Sequence, residues 1–238
     1  MAQTEQFAAD FAARTGPGSP SVGSVVNRMR ALRSDLPPQD GVAVFNRVYL
    51  AVTEELGLRI ERGEFPDRRA AVTLHVLFAE RYLSAVGTTT AGGRPPDCWR
   101  PLFQYRRHPR VRPLQFALAG INAHIGHDLA LAVVDTCRRL GCEPPQLEGE
   151  FDRVGDILTM LEEHIREDLM PGPDLLEVAD PLTHLLGAWS LERARDGAWS
   201  AARLLWGIRE HPELVREFTD RLDAGVGLVG RCLLTPWP

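Results

Sequence analysis

The chain has 238 residues, of which 44% are hydrophobic and 25% are charged, and its formal net charge is -5 at pH 7. This composition is typical of a globular protein, and the length suffices for one large hydrophobic core or two small ones. Because a mildly acidic chain has no basic stripe to attract phosphate groups, we expect no nucleic-acid partner.

The basic residues and the cysteines exclude several further kinds of catalytic or binding site. The chain has no lysine, so all 27 basic residues are arginines. Schiff-base catalysis, pyridoxal phosphate attachment and the phosphate-binding loop of nucleotidases need a lysine amine, so the sequence excludes all three. We predict no cofactor, with a divalent metal ion as the alternative. The four cysteines form no C-x-x-C pair and are predicted to be ordinary reduced thiols.

Residues 1–20 are predicted to form a flexible arm, because they end in the Gly/Pro/Ser-rich run "TGPGSP". They lack the basic start and the apolar core of a secretory signal. No uninterrupted apolar run approaches the roughly 18 residues of a membrane span. We therefore expect a cytoplasmic protein that has no membrane partner.

Removal of this arm should leave the rest of the protein folded. A chain that begins at Ser21 is expected to melt within a few degrees of the full chain, because the arm's composition buries too little surface to offset its ordering entropy. Thermal unfolding of both chains, followed by circular dichroism, measures the difference. A large loss of stability would show that the arm docks on the rest of the protein.

Long helical segments separated by proline and glycine follow the arm. Period-two alternation and hairpin turns, which would indicate strands, are almost absent. We predict an all-α fold, a single domain over 21–238 that packs about seven to nine helices in an orthogonal or antiparallel bundle. The last helices, from about residue 180, are a candidate packed sub-lobe. The predicted helical segments are 24–36, 40–63, 67–87, about 99–106, about 112–140, 150–169, 180–210 and 211–234.

The helix over about 112–140 contains the run "GINAHIGHDLALAVVD", which places Asn122, His124, His127 and Asp128 within seven positions. Side chains three and four apart share a helix face, so His124 and Asp128 border the apolar stripe and are predicted to be buried together. Asn122 lies on the other edge of the stripe. His127 is predicted to turn toward solvent.

The next helix offers a polar stripe that includes Asp152 and Asp156. Only a short loop joins the two helices, which predicts that they are antiparallel neighbours. This geometry would bring Asp152 close to Asp128. A solvated helix face is the alternative interpretation of the stripe.

Two interpretations of the His124–Asp128 pair remain open. A buried pair of this kind can be a structural hydrogen bond that sets the register of the helix. The pair can also belong to a pocket, in which case we expect it to line a cavity that Asp152 faces. A histidine with a carboxylate partner has the right pKa and a defined tautomer for proton transfer near neutral pH.

The local pattern resembles an uncharacterised bacterial all-helical family that is classed as a domain of unknown function. The resemblance rests on "NAHIGHDL" and on "FDRVGDIL" further along, and it covers roughly residues 25–170. It is similar to the signature N-A-H-I-x-x-D-L followed by D-x-x-x-x-D-I-L, but here three residues separate Asp152 from Asp156, and Gly155 stands in place of the family's asparagine. The resemblance implies a helical fold and functional roles for matching positions but no established activity. The matching residues are Asn122, His124, Asp128, Asp152 and Asp156.

Three functions fit these residues. The first is an enzyme acting on a small-molecule substrate by lyase, isomerase or cyclase chemistry. The second is a metal-dependent hydrolase, and the third is a helical protein that binds a ligand without catalysis. In the first, His124 is the acid–base group, Asp128 orients it, and Asn122 and Asp152 assist. The predicted substrate-binding residues are Trp99, Tyr82 and Asp156, and the predicted metal ligands are His124, Asp128, Asp152 and His75.

Overall fold

The structure, a computed structural model, describes residues 21–169 and 190–236, with the backbone alone for 159–169. These residues form eight α-helices and no strand, which confirms the predicted all-α fold of seven to nine helices. The predicted arm and residues 180–189 of the predicted sub-lobe lie outside the described residues. The helices are α1 (Val22–Asp35), α2 (Gly41–Glu61), α3 (Arg68–Thr90), α4 (Arg100–Tyr105), α5 (Pro113–Leu140), α6 (Glu148–Leu169), α7 (Leu191–Gly207) and α8 (Pro212–Leu233).

The helix ends follow local hydrogen-bonding chemistry. The Asp40 carboxylate accepts a hydrogen bond from the backbone N–H of Val42 and so caps the start of α2. Helix α3 continues past the predicted end at Gly87 to Thr90. The backbone N–H of Ala91, at the end of this additional turn, donates to the carbonyl of Gly87.

Helix α5 is the central element of the bundle. Its N-terminal half packs against α2 and α8 within a large hydrophobic cluster that also contains residues of α1, α3 and α4. Its C-terminal half packs against α3 and α7 within a second cluster, which includes the start of α6. The last two helices therefore contact α5 directly, and the middle of α5 lies where the two clusters meet.

The middle of α5 departs from regular α-helical geometry. Residues His124–Asp128 form a π-helical turn, in which the N–H of Leu129 donates to the carbonyl of His124, five residues earlier. Such turns occur as single insertions in α-helices, frequently at functional sites. The wider turn changes the direction of the side chains within it relative to a regular helix. As a result, His127 is buried, and the prediction that it turns toward solvent is wrong.

Helix α5 is also the one helix among the described residues that is long and apolar enough to cross a membrane. Its most apolar 18-residue window has a mean hydropathy of 1.3, and 83% of that window is buried inside the protein. No uninterrupted apolar run marks this helix in the sequence, because polar residues such as Asn122, His124 and Asp128 interrupt it. The core helix of a globular bundle passes the same test, so the match is weak evidence for a membrane span.

Candidate functional site

The carboxylate of Asp128 is the centre of a buried polar cluster in the π turn. Its Oδ2 accepts hydrogen bonds from the indole Nε1 of Trp99 at 2.9 Å and from Nδ1 of His124 at 3.0 Å. Its Oδ1 accepts one from Nδ1 of His127 at 2.9 Å. All four side chains are buried. The predicted burial of His124 together with Asp128 is therefore observed, and Trp99 and His127 join them.

The charge of Asp128 sets the tautomers of both histidines. Burial raises the pKa of Asp128, but the hydrogen bonds from His124 and His127 outweigh this effect. The pKa therefore falls below its usual value, to about 2. An ionised carboxylate can only accept hydrogen bonds, so each histidine must carry its proton on Nδ1. Nε2 of each ring then lies on the side away from Asp128.

Aromatic rings enclose the imidazole of His124. Phe78 stacks on it, with ring centroids 3.6 Å apart and an interplanar angle of 6°. Tyr49 meets it edge-on at 4.4 Å, and Phe45 does so at 6.0 Å. Burial among these rings lowers the pKa of His124, although the bond to Asp128 acts in the opposite direction. His124 is therefore a neutral base whose buried Nε2 has no hydrogen-bond partner.

Two of the other buried polar atoms that lack a hydrogen-bond partner belong to residues that interact with His124. One is Nε2 of His75 on α3, and the other is the hydroxyl of Tyr49 on α2. Burial, and to a lesser extent His124, lowers the pKa of His75 to about 4, so this imidazole is neutral. The hydroxyl of Thr53 lies beside Tyr49 but donates to the Tyr49 backbone carbonyl. Buried polar atoms are usually paired, so these three atoms call for a ligand, a water molecule or a catalytic role.

A small cavity of about 30 Å³ lies next to His124, with Phe78 in its wall. His124, Asp128 and Asp152 are absent from its lining, so the predicted cavity lined by the pair and faced by Asp152 differs from the one observed. Arg195 and Glu150 are the charged residues in the wall. The lining residues are Leu56, Ile60, Phe65, Ala71, Leu74, His75, Phe78, Leu129, Glu150, Phe151, Val154 and Arg195.

Two residues predicted to assist catalysis or bind substrate make structural contacts instead. The Asn122 amide donates to the backbone carbonyl of Val226 at 2.9 Å, which ties α5 to α8. The hydroxyl of Tyr82 is completely buried and donates to the side-chain oxygen of Asn46 at 3.3 Å. These contacts hold the helices around the cluster.

The predicted approach of Asp152 to Asp128 is wrong. Asp152 and Asp156 are exposed on α6, and the hydrogen bonds of Asp128 come from other residues. The prediction that α5 and α6 are antiparallel neighbours is also wrong, because α6 packs against α2 and turns its polar stripe to solvent. Asp156 pairs with Arg153 on its own helix at 3.7 Å. Both carboxylates therefore fit the solvated-face interpretation.

The structure also explains Gly155, the departure from the family signature. A Cβ at this position would lie 1.9 Å from Nη1 of Arg195, so the guanidinium occupies the space of a side chain. Arg195 in turn donates to the backbone carbonyl of Phe151 at 2.7 Å. The glycine thus lets α7 place an arginine in the cavity wall.

A second cluster lies on the other side of His127, where α8 meets the start of α4. Cys98, His127 and Asp223 each offer a metal-ligand atom, and these atoms lie within 4.8 Å of one another. Asp223 is partly exposed, whereas the other two are buried. No sequence motif indicates this cluster, because Cys98 and Asp223 are 125 residues apart in the chain.

Comparison with known proteins identifies a family but no activity. No curated protein and no solved structure matches the chain. The model of the family of unknown function DUF5995 matches residues 22–236, further along the chain than the resemblance predicted. The chain therefore belongs to this family of unknown function.

Proposed function

We propose that the protein is an enzyme that acts on a small organic molecule by proton transfer, of the lyase, isomerase or cyclase type. His124 is the acid–base group, and Asp128 orients it. The observation that carries the proposal is the unpartnered Nε2 of His124, which is buried and belongs to a neutral imidazole. A purely structural histidine would be expected to satisfy both ring nitrogens.

A general base needs a free lone pair and a group that stabilises its protonated form, and the geometry around His124 supplies both. The lone pair on Nε2 of His124 is available, because the proton is held on Nδ1 by Asp128 at 3.0 Å. When Nε2 takes a proton from a substrate carbon or hydroxyl, the carboxylate stabilises the resulting imidazolium. Return of that proton to a different substrate atom completes an isomerisation. Its transfer to a departing group completes an elimination.

The substrate would approach from the cavity beside Phe78. This cavity, at about 30 Å³, is far smaller than the roughly 300–1,000 Å³ of a small-molecule site. Phe78 both lines it and stacks on His124, and its side chain is only partly buried. Rotation of this ring would join the cavity to Nε2 of His124. His75 and Tyr49 would then offer their unpartnered polar atoms to the same molecule.

Deuterium exchange tests the proposal without knowledge of the substrate. The full-length protein is incubated in D2O with mixtures of small carbonyl and hydroxyl compounds, and NMR follows the loss or conversion of C–H signals. We expect exchange or turnover of at least one compound. A His124→Gln variant, whose amide can still donate to Asp128, should lower the rate by about 10²–10⁴-fold. His211→Gln, at an exposed histidine, should leave the rate unchanged.

The alternatives give different results in the same experiment. A rate that is unaffected by His124→Gln would contradict the assignment of this residue. Compounds that raise the melting temperature without exchanging would indicate a ligand-binding protein. Turnover that requires an added divalent cation would favour the metal-dependent hydrolase. The structure gives the ligand set His124, Asp128 and Asp152 little support, since Asp152 is exposed and three donors already occupy Asp128.

A further inference from the structure

A group of side chains around Nε2 of His127 has no role in the proposed proton transfer. Cys98 precedes α4, His127 lies in the π turn of α5, and Asp223 lies on α8. Their potential ligand atoms all lie within 4.8 Å of one another. Nε2 of His127 is 3.9 Å from Oδ1 of Asp223. Three elements that are remote in sequence thus direct a sulfur, a nitrogen and an oxygen to one point.

The spacing of these atoms is close to that around a bound zinc ion. Zinc–ligand bonds of 2.0 to 2.3 Å in a tetrahedron separate neighbouring ligand atoms by roughly 3.3 to 3.7 Å. A small closing movement of the side chains therefore suffices. Asp223 also accepts hydrogen bonds from the backbone N–H groups of Asp97 and Cys98, both at 2.8 Å. These bonds fix its carboxylate and leave further lone pairs for a cation.

The surroundings of His127 provide a second, independent observation. Histidines that bind metals almost always donate their other ring N–H to a carboxylate or a carbonyl, which fixes the tautomer that exposes the ligating nitrogen. His127 does this, because its Nδ1 bonds to Oδ1 of Asp128 at 2.9 Å. Asp128 is itself held by Trp99 and His124. The histidine is thereby oriented with Nε2 toward Cys98 and Asp223.

We propose that Cys98, His127 and Asp223 form a zinc-binding site. Thiolate and imidazole are ligands that suit zinc, whereas magnesium and calcium prefer sites made of oxygen atoms. Three protein ligands leave the fourth tetrahedral position for water, as in sites that keep an open coordination position. Asp223 is the partly exposed member and gives that position contact with solvent. Binding releases the thiol proton of Cys98 to solvent, since the thiolate is the ligand.

Asp128 connects the proposed zinc site to the acid–base group His124. Asp128 bonds to His127 through Oδ1 and to His124 through Oδ2, so one carboxylate connects the two histidines. The zinc proposal does not depend on the proton-transfer proposal, because its ligands lie on the opposite side of Asp128 from His124. Metal binding and exchange activity are therefore measured separately.

Zinc binding by the full-length protein is the direct test. Protein purified without chelator is analysed for metals, stripped with a chelator, and titrated with zinc against a chromophoric competitor. We expect one zinc ion per chain, with magnesium and calcium unable to compete. Cobalt substitution should produce the thiolate-to-cobalt charge-transfer absorption that marks a sulfur ligand. A wild-type protein that binds no zinc, or a cobalt form without this absorption, would overturn the proposal without any variant.

Variants assign the ligands. Loss of an outer-shell partner typically costs about 10–100-fold in metal affinity, so loss of a direct ligand should cost more than about 100-fold. We expect this loss for Cys98→Ser, His127→Gln and Asp223→Asn. Cys232→Ser is the matched control, because Cys232 is exposed, and it should retain full affinity. Equal affinity in Cys98→Ser and Cys232→Ser, with both variants folded by circular dichroism, would refute the assignment.

Discussion

Replacement of Asp128 by alanine is expected to destabilise the protein by at least about 3 kcal/mol. The change removes the acceptor of three buried donors, from Trp99, His124 and His127. Each buried donor left without a partner costs about 1–3 kcal/mol, and the histidines recover part of this by changing tautomer. Urea unfolding followed by circular dichroism measures the free energy of unfolding.

Two further variants test whether the loss of stability comes from the lost hydrogen bonds. Asp128→Asn should be much less destabilising than Asp128→Ala. Its amide oxygen can accept from Trp99 and His124, and its amide N–H can donate to Nδ1 of His127 once that ring changes tautomer. Asp135→Asn, also on α5, removes a partly exposed ion pair with Arg81 of α3 and should cost at most about 1 kcal/mol. Similar losses for Asp128→Ala and Asp135→Asn would show that the buried cluster contributes little to stability.

Replacement of Gly120 by alanine is expected to destabilise the protein by about 1–3 kcal/mol, the usual cost of overpacking a core. A Cβ at this position would lie 2.2 Å from Cδ2, 2.3 Å from Cγ and 2.9 Å from Cβ of Phe45. Because the Cβ of Phe45 is itself too close, rotation of its ring cannot relieve the overlap. The backbones of α2 and α5 must separate instead, and Phe45 packs on both Trp99 and His124.

Gly197→Ala provides a matched comparison for this substitution. Gly197 lies within α7, and a Cβ there meets no atom within 4 Å. Alanine in an open helical position should stabilise the protein by about 0.5–1 kcal/mol, because glycine loses more backbone entropy on folding. The same chemical change is thus expected to have opposite signs at the two positions. A neutral or stabilising effect of Gly120→Ala in urea unfolding would contradict the close packing of α2 on α5.

Local sequence signals were sufficient for the secondary structure and for half of the buried cluster. Proline, glycine and capping residues specify where helices begin and end, as the Asp40 cap of α2 shows. Helical periodicity placed His124 and Asp128 on one buried face, since residues four apart are neighbours on an α-helix, and the pair remains hydrogen-bonded in the π turn. These properties depend on a few adjacent residues, so the sequence alone determines them.

The rest of the site depends on how the helices pack. A π turn differs from an α turn by one hydrogen-bond register, and no local pattern distinguished them, so the burial of His127 was missed. Periodicity also shows which side of a helix is polar without showing which partner that side meets. Asp152 therefore seemed a suitable neighbour for Asp128, yet it faces solvent. Only the tertiary structure brings Asp223 of α8 to His127, because that contact joins residues almost a hundred positions apart through packing on a shared core.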